Sequence, residues 1–577
     1  MESIKSHLQY LSIKPGDANG FVQLFFDNLG TVLQLIVFLE LVLTGFFSDQ
    51  LFTEINGNYS ATVAPVLDTI NDVIFSRAMP GLGITMVFGN IYYTYMGLRL
   101  AKKEDRNDVT ALPYGVNTPA AFAFVFSIIS PVIFAEGCDA KFPSPLTSQN
   151  EAEEYFECWN GAVEKAWAVG VSANMIVGIV SVFLGIGGDL IVKFTPTATL
   201  LTSLAGIGIA FLGLAQLTLT FANPIVGIFP LYLMVMGYFA GMRFTGPVPM
   251  SLVIILVGVI LGAADDVVTS DTLKASKEFV ESYGLTFATE SFSSWGDTGP
   301  YIGTIVPLAL AAAAGTLMNV ISAKRAGDDF PLKEAMISDG VGTMVGALFG
   351  TPFGTSVYIG HPAYKKFGAG VGYSLINCVV FFFCSIFGFF AIASALVPQG
   401  ATAPLLLYVG FSICKEALEE MPSRQFPTFL IGILPALADY AATLSTDIDL
   451  VGLLALAKSS ILLALVTSTI WWYIIERELK AAAAWTFGAA LLAAFGVIHQ
   501  PEATADKFNE QQADGSALQS EQWRFMTGYL MVAFFLVILG VAQAKGWIEG
   551  PQEKYVPEYL KDASPEDVEV EPVKASI

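Results

Sequence analysis

The chain has 577 residues, of which 54% are hydrophobic and only 14% charged, against roughly 25% charged in an ordinary soluble domain. That composition excludes a string of soluble domains, a disordered chain and a disulfide scaffold. A net charge of −22 excludes nucleic acid as a partner, because binding it needs a basic face. What is left is an all-α polytopic membrane protein.

A helix needs about 20 apolar residues to cross a bilayer. In chain order, spans are predicted near 21–47, 80–100, 111–134, 165–191, 197–220, 223–241, 246–264, 299–321, 335–349, 351–367, 371–395, 403–417, 426–443, 450–475, 481–498 and 524–544. The polar residues 1–20 carry no cleavable signal. An even number of spans puts both termini on one side. Lys102, Lys103, Arg106, Lys324, Arg325, Lys365, Lys366, Arg424 and Arg477 fall on that side too, so the termini are predicted to be cytoplasmic. The acid-rich loops then face outward. So do Cys138 and Cys158, which share one loop and can pair if that compartment is oxidising. Asn58, in Asn58-Tyr59-Ser60, is an outward-facing glycan acceptor. The plasma membrane is the expected location.

Two short internal matches set the organisation. Gly30-Thr31-Val32-Leu33-Gln34-Leu35-Ile36 in the first span resembles Gly315-Thr316-Leu317-Met318-Asn319-Val320-Ile321 in the eighth. Pro113-Tyr114-Gly115 in the third span resembles Pro352-Phe353-Gly354 in the tenth. The offset is seven spans, an odd number, so the halves have inverted topology, as in many secondary transporters. This divides the chain into a cytoplasmic N-terminus (1–20), a first repeat (21–264), an acidic external loop (265–298), a second repeat (299–475), an appended helical hairpin (476–545) and an acidic, disordered tail (546–577).

The third and tenth spans are also the most broken, by Pro113, Gly115 and Pro119 in one and by Pro352, Gly354, Gly360 and Pro362 in the other. Irregular backbone at membrane depth is tolerated where it lines a cavity or is buried in protein, so paired breaks point to a substrate site. The polar and aromatic residues there are Tyr114, Asn117, Thr118, Phe353, Thr355, Ser356 and Tyr358, joined by Thr316 and Asn319 from the eighth span. Tyr114 and Phe353 can stack a planar ring, and the amides and hydroxyls can read its edge. The same set also suits a small anion held at helix dipoles.

Ionisable residues inside spans are functional by default. Asp27 lies three residues before Gly30, His361 follows the tenth-span break, Asp339 begins the ninth span after Ser338, and Glu40 sits in the outer half of the first span. These four form the proton-coupling set. Each also has a plainer reading: Asp27 bonding Asn28 and Thr31, His361 structural beside Lys365, Asp339 an N-cap, and Glu40 reaching the outer interface. No spacing fits a metal site and no nucleophile–base pair is evident, so neither a metal, a cofactor nor an enzymatic activity is expected.

Several segments resemble a known family. The run from Asp339 through Gly350-Thr351-Pro352 resembles the ninth-to-tenth span junction of the nucleobase:cation symporter 2 superfamily, the nucleobase–ascorbate transporters and xanthine/uracil permeases. Ala401-Thr402-Ala403-Pro404 and Ala205-Gly206-Ile207-Gly208 resemble the hypoxanthine–adenine–guanine permease branch. Ala111 to Thr118 and Tyr358-Ile359-Gly360-His361-Pro362 look like another permease group of that superfamily. The resemblance covers roughly residues 16–475. It implies a seven-plus-seven inverted repeat, with spans one to four and eight to eleven as core and the remaining repeat spans as gate. It further implies a homodimer and elevator-like motion. The family's acids in the eighth and tenth spans correspond here to Ala312 and Gly360. The expectation is therefore a permease carrying a small molecule, a purine or pyrimidine base, across the lipid bilayer with a proton or cation. The alternatives are a small-anion carrier of the bicarbonate or sulfate type, and a non-transporting receptor or scaffold.

Overall fold

The two broken spans do not form helices at their breaks. Tyr114–Val116 and Thr355–Val357 are extended and pair with each other as an antiparallel two-stranded sheet, β1 and β2. Pro113 and Pro352 each fix φ, lack an N–H and disfavour helix in the residue before them. The strands that follow contain Val116, Thr355 and Val357, whose branched side chains favour extended backbone.

The computed structural model describes residues 11, 13–44, 66–141, 149–187, 195–242, 248, 250–269, 286–443, 451–499 and 516–553. In chain order the helices used below are α1 (Pro15–Thr44), α2 (Met79–Glu104), α3 (Thr118–Phe124), α4 (Gln149–Gly187), α5 (Thr197–Ile209), α6 (Pro224–Met234), α7 (Met250–Ala264), α8 (Ile302–Arg325), α9 (Leu332–Leu348) and α10 (His361–Lys366). They continue with α11 (Gly372–Ile386), α12 (Phe389–Leu396), α13 (Gln399–Glu419), α14 (Phe426–Thr443), α15 (Ser460–Ile475), α16 (Leu479–Ala494) and α17 (Ser516–Ala544).

Seven described helices are long and apolar enough to cross a membrane: Pro15–Thr44, Thr118–Ala135, Glu153–Gly187, Thr197–Ala222, Trp295–Arg325, Gln399–Glu419 and Trp523–Ala544. The bent pair α11 and α12 makes an eighth. Shorter apolar helices include Pro224–Phe239, Met250–Ala264, Ser460–Ile475 and Leu479–Ala494. The chain is a multi-pass, all-α membrane protein with an inverted-repeat architecture. The antiparallel register of β1 and β2 is what inverted halves require, since each strand meets its counterpart head to tail.

Two predicted spans differ in detail. The segment 371–395 was expected as one span, but α11 and α12 meet at 82°. Gly388 lies between them with φ +74, a left-handed conformation that ends a helix and that glycine adopts without strain. The ninth span is predicted near 335–349, with an N-cap as the plainer reading of Asp339. Instead α9 starts at Leu332 behind Pro331, which cannot continue a helix on its N-terminal side. Asp339 is therefore two turns inside the helix, and buried.

The chain divides into two compact units. The first comprises Met1–Ile186, Ala215–Gly299 and Gly315–Tyr408. In it α2 packs along α11 and α9, and α1 packs along α11. It holds most of the helices expected in the core, together with α6 and α7, but the eighth span is divided: Pro300–Ala314 falls in the second unit. The second comprises Gly187–Leu214, Pro300–Ala314 and Val409–Ile577. In it α14 packs on α15 and α5, and α16 pairs with α17 around Leu479, Ala482, Ala483 and Leu536. Cys138 and Cys158 are joined by a disulfide in the first unit. Asn58 and residues 554–577 of the tail lie outside the described residues.

Candidate functional site

The site is built on the strand pair. The offset that sets Pro113 on Pro352 and Gly115 on Gly354 also sets Val116 on Thr355. Val116 is the residue paired with Thr355, so the pseudo-two-fold axis of the repeat passes through this pair. Asn117 N–H donates to the Gly354 carbonyl at 3.0 Å, and Tyr358 N–H donates to the Pro113 carbonyl at 2.8 Å. The repeat counterpart of that second bond would come from Pro119, which has no N–H.

On the α1 side, Asn28 ties helix to strand. Its Oδ1 accepts from Val116 N–H at 2.9 Å, and its Nδ2 donates to the Leu24 carbonyl at 2.9 Å. Thr31 and Thr118 hydroxyls bond at 3.2 Å, and the Tyr358 phenol faces the same two threonines. Gly115 lies under this cluster, where a Cβ would run into the Asn28 amide and the Tyr358 ring. One residue before Asn28, the half-buried Asp27 carboxylate accepts from Gln23 Nε2 at 2.5 Å and from the Tyr238 hydroxyl at 3.2 Å. The Tyr238 ring lies 4.2 Å from that of Tyr408, centroid to centroid. All of these belong to the first unit.

On the α9 side the carboxylate is saturated. Asp339 Oδ1 accepts from Tyr93 at 2.6 Å, while Oδ2 accepts from Thr316 at 2.6 Å and from Val357 N–H at 3.2 Å. Asn319 Nδ2 donates to the Val357 carbonyl at 3.0 Å. The halves are thus built alike. Thr31 and Thr316 are repeat counterparts, as are Thr118 and Val357. Thr31 reaches its strand end directly, and Thr316 reaches its own through Asp339. Among the described residues no lysine or arginine pairs with Asp27 or Asp339.

The predicted residues separate into groups. Asp27, Asn117, Thr118, Asn319 and Tyr358 surround the strand pair with polar atoms in reach, and all but Thr118 are partly accessible. Tyr114, Phe353, Thr355 and Ser356 are buried. Tyr114 and Phe353 do not face each other: each lies two residues before the axis pair, Tyr114 on β1 and Phe353 just ahead of β2, so they sit at opposite ends of it. The Tyr114 hydroxyl meets Thr355 Oγ1 at 2.5 Å and its ring leans on Tyr93. Glu40 is exposed, about 20 Å along α1 from Asp27 at 1.5 Å per residue.

His361 is buried among other partners. Its Nε2 lies 3.1 Å from the Thr110 carbonyl and 3.2 Å from Asp328 Oδ2. Both are acceptors, so Nε2 carries a proton. Asp328 also takes Lys365 Nζ at 2.6 Å, Arg106 at 2.7 Å and Thr110 N–H at 3.1 Å. Burial pushes its carboxyl up, but the bonds from His361, Lys365, Thr110 and Arg106 outweigh this and hold it at about 2, below its ordinary 3.8. This hub fastens the loop before β1 to α10.

Sequence reading missed Gln23, Tyr93, Tyr238 and Tyr408. Gln23 had a legible signal: a polar residue one helical turn before Asp27 in an apolar run. Tyr238 had none, because 211 residues separate it from Asp27.

No family model and no curated protein matches the chain. Among solved structures it is similar to the transmembrane domain of a cyanobacterium bicarbonate transporter, BicA, at 13% identity and TM-score 0.39, over 77% of this chain and 96% of that one. SLC26A9 gives 11% identity and TM-score 0.39, over 72% of this chain and 67% of that one. The murine Slc26a9 anion transporter in its inward-facing state gives 11% and 0.36, over 73% and 69%. Likeness at this level says nothing of substrate, and the functional reading rests on the site itself.

Proposed function

We propose that the chain is a secondary transporter whose solute binds beside β1 and β2, with Asp27 as the coupling carboxylate. The observation that carries this is the state of Asp27. It is a half-buried carboxylate within a span, next to the broken backbone, and the side chains that bond it, Gln23 and Tyr238 among them, are uncharged. An intramembrane acid without a cation partner is costly unless it takes up a proton or meets a donor-bearing ligand. The aromatic pair Tyr238–Tyr408 and the edge groups of Asn117, Asn319 and Tyr358 support a neutral, planar, N–H-bearing solute of the nucleobase class. His361 belongs with Asp328 as a latch in this reading, and Asp339 holds β2. Cytoplasmic termini, the plasma membrane and a homodimer complete the proposal.

The test is uptake into liposomes of uracil, xanthine, hypoxanthine, guanine, bicarbonate and sulfate, with and without a proton gradient. Gradient-driven uptake of a base that Asp27→Asn lowers by roughly 10-fold or more supports the reading. A base carried equally by Asp27→Asn removes Asp27 from it. The second reading is a small-anion carrier. Ala312 and Gly360 favour it: with Asp339 held by three hydrogen bonds, no other carboxylate among the described residues of the second repeat bonds the strand pair. Uptake of bicarbonate or sulfate, indifferent to bases, would establish that reading instead.

A further inference from the structure

The hairpin of α16 and α17 carries a groove that the transport site does not use. Its volume is about 800 Å³, within the range of clefts that hold one ligand. Small residues form its floor, among them Ala483, Ala533 and Gly540, and Phe487 and Phe534 rise at its sides, both exposed. The helices run antiparallel, so the start of α16 and the end of α17 share one end of the hairpin, where Gln543 Nε2 donates to the Arg477 carbonyl at 2.9 Å. Two lysines, Lys480 and Lys545, line the groove at that end. Glu549, the acid just beyond α17, is already paired with Arg477. Among the described residues neither lysine has a carboxylate partner, and the Lys545 ammonium lies 4.9 Å over the Trp547 ring.

We propose that this groove binds one anionic phospholipid, with an acyl chain along the alanine floor and the phosphate between Lys480 and Lys545. The chemistry is complementary at both ends: an apolar trough open to the bilayer and two unpaired cations at its mouth, beside a tryptophan suited to the headgroup level. The apolar stretch Trp523–Ala544 is only 17% buried, so lipid is its natural neighbour.

The experiment is native mass spectrometry of the full chain exchanged into mixed micelles of palmitoyl-oleoyl phosphatidylglycerol and phosphatidylcholine. The expected result is retention of one phosphatidylglycerol in preference to phosphatidylcholine. A lysine near an anionic headgroup contributes about a fivefold preference, so K480Q/K545Q should lower it by roughly tenfold or more. Ala484→Trp is the second variant. Ala484 is an exposed lining residue, so tryptophan there fills the groove with both lysines in place and should lower retention of both lipids. Equal retention of the two lipids by the native chain overturns the proposal, as does an unchanged preference in K480Q/K545Q. A lipid-free dimer that Ala484→Trp splits would also overturn it, since a second copy would then cover the face.

Discussion

Val116 and Thr355 pair across the two strands, and each is the other's counterpart in the repeat. A two-fold axis through that pair requires the groups on either side of it to be related. They are, with one difference: Asp339 on the α9 side bonds Val357 N–H of β2, and Asp27 on the α1 side bonds neutral side chains, Gln23 and Tyr238 among them, that lie outside the strands. The chemical asymmetry of the site lies in that difference.

Asp27→Asn keeps the shape of the side chain and removes its charge. Hydrogen bonds to charged groups contribute about 1.5–3 kcal/mol, which corresponds to roughly 10- to 100-fold in uptake. Gradient-driven uptake in proteoliposomes should fall by that factor while thermal stability in detergent stays close to native. A comparable fall in stability would assign Asp27 a structural role instead.

His361→Gln can still donate to the Thr110 carbonyl, because the amide nitrogen replaces Nε2. The expected outcome is an unshifted pH profile of uptake with a lowered Tm. A shifted profile would return His361 to the proton path.

Asp328 contributes stability with a defined sign. Its folded-state pKa, about 2, lies below the ordinary 3.8. The stabilisation is therefore complete above pH 3.8 and is lost as pH falls through the folded value. Asp328→Asn leaves Lys365 and Arg106 without this partner, and removing one member of a buried ion network costs about 3 kcal/mol or more. Its Tm at neutral pH should drop, and the acid limb of its Tm curve should flatten relative to native.

Gly115→Val tests the closeness of α1 to the strands. The new side chain meets the Asn28 amide and the Tyr358 ring, and overpacking of this kind costs about 1–3 kcal/mol. Loss of uptake should accompany the lower Tm, because Asn28 would release Val116 N–H. Gly161→Val, at a position with open space around its Cβ, is the control and should retain uptake.

Replacing Cys138 and Cys158 by serine opens a loop closed over a separation of 20 residues. A loop of that size gives about 3 kcal/mol in the chain-entropy account. Thermal unfolding with and without reductant should show that loss in the native chain and none in the double variant. Labelling of the reduced thiols from outside intact cells checks the predicted external face.

Several features were legible because they are local. Hydropathy runs give membrane helices, since a span must hide its own backbone from lipid. Pro113 and Pro352 announce broken spans, because proline lacks the N–H a helix needs. Matched motifs around Gly30 and Gly315 announce two halves, and an odd offset announces their inversion. Asp27 stood out because charge is rare in such runs. Other features depended on where distant segments meet. Nothing near Tyr238 in the chain marks it as a partner of Asp27. Asp339 reads as a cap or a coupling acid, and the cap falls away only when α9 is seen to start at Leu332 and the Val357 N–H arrives from β2. For His361 the sequence shows only Lys365 nearby; that Asp328 and Thr110 also meet it is set by the fold. Period and composition act over a few residues and are written in the sequence. The partner of a buried polar group is set by the path of the whole chain, and only the tertiary structure decided that Asp339 meets Tyr93, Thr316 and Val357 while Asp27 meets Gln23 and Tyr238.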